Sequence, residues 1–112
     1  MVPRREGPGG QDQVFRKMKI VISPRGRRDL ANQLGYLVDQ GAAAAATRLE
    51  RRLTRYIEDT IANFPRTGDY IPERQLWEMW VPRTKMVIWY RFTADELQIV
   101  QVWHTSQNRQ GS

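Results

Sequence analysis

Lys85-Met86-Val87-Ile88-Trp89-Tyr90-Arg91-Phe92, then Thr93-Ala94-Asp95-Glu96, then Leu97-Gln98-Ile99-Val100-Gln101-Val102-Trp103-His104 is the stretch that decides how this chain folds. Both flanks are rich in β-branched and aromatic residues, which fit a pleated, half-buried surface, and the polar tetrad between them reads as a turn. Pairing Phe92 with Leu97 sets Tyr90 opposite Ile99, Trp89 opposite Val100, Val87 opposite Val102 and Met86 opposite Trp103. Apolar then meets apolar almost throughout, each pair contributing about 0.2–1 kcal/mol over alanine. A slip of one residue sets Arg91 against Leu97 and Lys85 against Trp103, so the first register is the expected one. It places Lys85, Arg91, Gln98 and His104 on one sheet face, with Val87, Trp89, Val100 and Val102 between them. Met86, Ile88, Tyr90, Phe92, Leu97, Ile99 and Trp103 fall on the other face, which is uniformly apolar and should be covered by helices.

Upstream, Arg74 to Val81 has the same period of two and reads as a further strand of an antiparallel meander. Before Gly68 the period changes to that of a helix. Leu30, Leu34, Leu37 and Val38 mark one face of a helix over Pro24–Gln40, with Ser23 as its cap and Pro24 in its first turn. Gly41 separates it from a second helix over Ala42–Asn63, whose apolar stripe runs Ala45, Ala46, Leu49, Leu53, Tyr56, Ile57 and Ile61, with Phe64 at its end before Pro65. So short a link predicts an antiparallel hairpin. Lys19-Ile20-Val21-Ile22 is a short opening strand. The expected architecture is α+β: an N-terminal strand, an antiparallel helix hairpin, then a three-stranded antiparallel meander packed on the helices.

The chain has 112 residues, 40% apolar and 27% charged, enough for one modest core. Residues 1–17, rich in Pro, Gly and charge, bury too little surface to offset their ordering entropy and read as a disordered lead-in. A domain over 18–109 and a short tail over 110–112 complete the division. Without cysteine there is no disulfide frame or thiolate site, and one histidine cannot build a multi-histidine metal site, so no metal or cofactor is expected. No apolar run approaches the ~20 residues of a membrane helix, and no apolar secretory core opens the chain; a cytoplasmic protein is expected. The net charge of +6 favours an acidic partner.

The order of elements resembles that of the RelE/ParE superfamily of bacterial toxins, and particular segments carry the resemblance. Ile20-Val21-Ile22-Ser23-Pro24 with Arg28-Asp29-Leu30 is similar to the family's opening strand and first helix. Phe64-Pro65-Arg66-Thr67-Gly68 looks like its P-x-x-G segment, and Val87-Ile88-Trp89-Tyr90-Arg91 like its central strand ending in Tyr-Arg. Asp95 to His104 resembles its last strand, which in the ParE branch commonly ends in histidine, and Arg109 stands for the basic residue that often follows. The resemblance implies the toxin of a type II toxin–antitoxin, or plasmid stabilization, system, neutralised by a cognate antitoxin. In the ParE branch it implies a protein that poisons DNA gyrase without catalysis of its own; in the RelE branch, a ribosome-dependent endoribonuclease that cleaves messenger RNA. A degenerate member that only binds its antitoxin is a third reading.

Ribonuclease chemistry needs a base for the 2′-hydroxyl, cations for the phosphate and an acid for the leaving oxygen. His104 suits acid or base work, since histidine is the side chain that ordinarily titrates near neutrality. Lys85 and Arg91 would hold phosphate, and Arg74 would join them if it faces the same way. The set is thin, because lysine occurs only at 17, 19 and 85. Trp89, on a face expected to be open, would instead anchor a partner, with Arg91, His104 and Arg109 beside it. An antitoxin laying a helix or strand on that face would bury Trp89. Arg48, Arg51, Arg52 and Arg55 form a basic stripe on the second helix, read as a solvated face with ion pairs such as Arg55 with Asp59. The ParE-type binder is the favoured reading.

Overall fold

The computed structural model describes residues 18–106; the lead-in, Arg109 and the tail lie outside them. Strand β1 spans Lys19–Ile22 and stops where Ser23 caps helix α1, Pro24–Asp39. The Ser23 hydroxyl accepts the Gly26 amide at 2.9 Å, satisfying an N-terminal donor that the helix itself cannot pair. Gly41, at φ 78°, reverses the chain in a conformation that costs other residues energy, and helix α2 follows over Ala43–Tyr56. At Ile57 the helix widens into a π turn, Ile57–Ile61, closed by the Ala62 amide on the Ile57 carbonyl at 2.9 Å. The extra residue in that turn lets Ile57, Ile61 and Ala62 all face the core, and no ion pair links Arg55 to Asp59 across it. Phe64, expected to end the stripe, lies beyond the turn and is exposed, as is Val38 of α1.

Five strands form one sheet in the order β1-β5-β4-β3-β2, with β1 parallel to β5 and the other pairs antiparallel. Strand β2 (Asp69–Ile71) was not expected: three residues between Gly68 and Pro72 carry no readable period. Strand β3 is Leu76–Trp80, shorter than the Arg74–Val81 expected. Pro72 to Gln75 form a tight turn, closed by the Gln75 amide on Pro72 with Gln75 at φ 55°, so Arg74 sits in a turn and not in a strand. Strands β4 (Met86–Phe92) and β5 (Glu96–His104) meet at Phe92–Leu97 and Tyr90–Ile99 as read from the sequence.

Beyond Tyr90 the register changes. A bulge in β5 leaves both Val100 and Gln101 facing the Tyr90–Trp89 step, and the ladder resumes with Trp89–Gln101, Ile88–Val102, Val87–Trp103 and Met86–His104. Every β5 side chain past the bulge therefore lies on the face opposite to the one expected. Val102 joins the helix-side core, Trp103 turns to the outer face, and His104 leaves the face of Arg91 for the helix side. The physical cause lies in the neighbours. Where β1 has ended, the Ser23 amide bonds the Ile99 carbonyl at 2.8 Å, the Ser23 hydroxyl bonds the Val100 carbonyl at 2.8 Å, and Asp29 takes the Val102 amide at 3.1 Å. Helix α1 thus satisfies backbone groups that a regular strand would have offered to another strand.

The core lies between the helix hairpin and the sheet. Leu53, Ile57 and Ile61 pack on Met79, Ile88, Tyr90, Leu97, Ile99 and Val102. A second, smaller cluster of Leu76, Val87, Trp89 and Trp103 occupies the outer face. No helix among the described residues is long and apolar enough to cross a membrane.

Candidate functional site

The residues singled out in the sequence divide between two places. On the outer face the Arg74 guanidinium lies 5.0 Å above the centre of the Trp89 ring, and Trp103 meets that ring edge-on at 5.8 Å. Glu78 joins two indoles: its carboxylate accepts Trp89 Nε1 at 2.8 Å and Trp80 Nε1 at 3.1 Å. Trp89 is only 6% exposed, so it is a packed member of this cluster and not the open anchor expected of it. Trp80 is the tryptophan that reaches solvent, at 59% exposure; it was hidden in the sequence because strand alternation alone does not say which ring on a face has a neighbour above it. Arg91 is exposed on the same face, paired in the ladder with Gln98.

The second place is a groove of about 690 Å³ on the helix side, at the end of the sheet where β3 turns into β4. Arg48 and Arg52 of α2, Arg83 and Lys85 of the turn, and His104 of β5 border it, over an apolar floor of Leu37, Leu49 and Met86. Lys85 and His104 are held side by side, since the Thr105 amide bonds the Lys85 carbonyl at 2.8 Å. His104 Nδ1 accepts the Ser106 amide at 3.0 Å, which puts the proton of the neutral ring on Nε2. Two hydrogen bonds brace the turn: Thr84 Oγ1 donates to Val81 O at 2.8 Å and accepts the Met86 amide at 3.0 Å. Of the tentative catalytic set, then, Lys85 and His104 come together, while Arg74 and Arg91 lie across the sheet from them. Arg83 was missed by sequence reasoning; one arginine in Pro-Arg-Thr carries no periodic signal. Among the described residues no group of three His, Cys, Asp or Glu side chains could hold a metal ion.

A third relationship explains two landmarks of the resemblance. The Tyr90 hydroxyl donates to the Pro65 carbonyl at 2.6 Å, tying the central strand to the segment after α2. A Cβ at Gly68 would lie 2.5 Å from that hydroxyl and 2.7 Å from the Glu78 carbonyl oxygen, so the position admits hydrogen only. Burial pushes the Tyr90 phenol up to about 12; the Gly68 amide pulls the other way, and the charges of Tyr56 and Asp69 add to the rise. Burial also raises Tyr56.

A helix hairpin on one face of this mixed sheet is the architecture of the RelE/ParE type. The model of the family described as the ParE toxin of the type II toxin–antitoxin system parDE matches residues 20–109, and the chain belongs to that family. A solved chain from a chromosomal ParDE toxin–antitoxin system of P. aeruginosa superposes with a TM-score of 0.64 at 13% identity, covering 78% of this chain and 95% of its own length. At that identity the likeness concerns the fold. A search of curated proteins returned no match.

Proposed function

We propose that the chain acts as a binding protein: a toxin whose target is DNA gyrase and whose cognate antitoxin neutralises it by forming a hetero-complex in the cytoplasm. Membership of the ParE family supports this reading, and one observation in the molecule carries it. His104 lies on the helix side of the sheet, whereas Arg91 and Arg74 lie on the outer side. A general acid or base acts only within hydrogen-bond reach of the atom it serves, so these residues do not form one ribonuclease centre. Arg91 and the exposed Trp80 on one face, and His104 with its basic neighbours on the other, are suited to gripping a protein on two sides of the sheet. Arg109 lies outside the described residues and keeps its expected partner-binding role here.

The second reading, a ribosome-dependent endoribonuclease, draws on Lys85 and His104 sharing one groove with three arginines. One experiment separates the two. Purified full-length protein is added to a gyrase supercoiling assay and, in parallel, to a translating extract. Blocked supercoiling with intact messenger RNA and continued translation supports the gyrase reading. Rapid messenger cleavage that His104→Ala abolishes would establish the ribonuclease instead.

A further inference from the structure

The groove beneath Arg83, which the proposed function treats only as a basic surface, has further features. Among the described residues no carboxylate lines it, and none of Arg48, Arg52, Arg83 or Lys85 is ion-paired with one. Arg48 and Arg52 stand one helical turn apart, a like-charge spacing that is mildly destabilising on its own. Arg83 takes φ 64°, a backbone conformation that costs a non-glycine residue energy and that concentrates at binding sites. Glu50, Glu58 and Asp59 border a second hollow that Arg48, Arg52 and Arg83 also line, and an anion in the groove would offset the remaining cost on its carboxylate-free side.

The arrangement also narrows the kind of anion. The cations come from a helix, a turn and a strand end and surround one opening, which suits a compact polyanion better than charges strung along an acidic segment. The size lies within the usual range of small-molecule sites, about 300–1,000 Å³. Tyr36, at 62% exposure, stands at its border, with Gln33, Thr84 and Ser106 supplying neutral hydrogen-bonding groups. We infer that this groove binds a phosphate ester carrying an aromatic base: the arginines, Lys85 and His104 take the phosphates, and the base rests against Tyr36 and the apolar floor. The free nucleoside polyphosphate and the end of a single-stranded nucleic acid share this chemistry. The inference concerns the same basic surface to which the gyrase reading gives a protein partner, and the acidic peptide among the probes below tells the two apart.

Titration calorimetry of the full chain at about 0.15 M salt tests it with four probes: a nucleoside triphosphate, inorganic triphosphate, a short single-stranded oligonucleotide and an acidic peptide. Arg83→Gly removes the guanidinium while relieving the backbone, so this variant is expected to melt no lower than the parent. Arg52→Gln gives a second loss of charge, and Arg91→Ala, on the opposite face, serves as control. The nucleotide is expected to bind with a Kd below about 1 mM, more tightly than inorganic triphosphate, and to weaken on the order of tenfold in Arg83→Gly and Arg52→Gln but not in Arg91→Ala. Oligonucleotide binding with the same pattern, and none of the free nucleotide, supports the site with nucleic acid as the source. Binding of the acidic peptide alone, binding indifferent to Arg83 and Arg52, or no binding by any probe overturns it.

Discussion

The Asp29 carboxylate accepts the Val102 amide at 3.1 Å, joining helix α1 to strand β5 across 73 residues of sequence. It stands where another strand's carbonyl would stand if β1 continued past Ile22. Arg25, one turn earlier in α1, approaches the other carboxylate oxygen at 3.7 Å and adds a partly exposed ion pair that contributes little. The amide bond is the important one, because an unpaired buried donor loses its full hydration. Asp29→Ala is therefore expected to cost about 1–3 kcal/mol in urea denaturation, and Asp29→Asn, which keeps an acceptor oxygen, distinctly less. Equal losses in the two variants would mean that charge, not the acceptor, matters.

Ser23 works at the same junction. Its hydroxyl accepts the Gly26 amide and donates to the Val100 carbonyl, so a single side chain caps α1 and braces the bulge. Ser23→Ala removes both bonds and should cost about 1–3 kcal/mol, a cap and a further hydrogen bond together. Because Ser23 and Asp29 hold backbone groups two residues apart in one strand, their losses should not add. A double-mutant cycle is expected to give a coupling of about 0.5–2 kcal/mol, and strict additivity would separate the cap from the bulge.

Gly68 tests the contact beneath Tyr90. Gly68→Ala places a methyl against the Tyr90 hydroxyl and the Glu78 backbone, and overpacking of this kind costs about 1–3 kcal/mol. Tyr90→Phe removes one of the two obstacles and should rescue the alanine variant in part only, since the Glu78 carbonyl oxygen stays. Full rescue by Phe in thermal melts would show that the backbone yields more easily than this geometry implies.

The same tyrosine predicts an alkaline limit. Its folded-state pKa is raised from 10.0 to about 12, so the folded form favours the protonated phenol. The stabilisation is fully present below pH 10 and is lost as pH rises through the folded value, with Tyr56 acting in the same direction. Denaturant midpoints should stay level to about pH 10 and fall towards pH 12, and Tyr90→Phe should flatten that fall.

Much of this fold was readable in the sequence because its elements carry strong local signals. Ser23-Pro24 announces α1, Gly41 ends it, and Thr93 to Glu96 fixes the first pairs of β4 with β5. The bulge was not readable, because Val100 and Val102 fit the sheet pattern equally well with or without it; the deciding partners, Ser23 and Asp29, lie more than seventy residues away. That single omission merged two surfaces into one candidate site. The outer tryptophan cluster failed for a related reason: burial of Trp89 depends on Arg74 in a turn and Glu78 on the neighbouring strand, and neither is adjacent in sequence.

Two single-residue deletions two positions apart test the bulge directly. Removing Val100 takes out the extra residue, so Gln101 follows Ile99 in a continuous ladder opposite Trp89 and Tyr90, and Val102, Trp103 and His104 keep their present faces. The cost should be limited to the lost Val100 contacts and the Ser23 bond, about 1–2 kcal/mol, with the Val87–Trp103 neighbour contacts still visible by NMR. Removing Gln98 instead also closes the bulge, but it moves Ile99 to the outer face and puts Val100 in the core opposite Tyr90. Ile99 is fully buried, and giving its place to the smaller valine while exposing it costs about 1.5–3 kcal/mol, so this variant should fold but be the less stable of the two. A loss of the Val87–Trp103 contacts in the Val100 deletion, or a Gln98 deletion more stable than it, would show that the register past Tyr90 is not set by Val100.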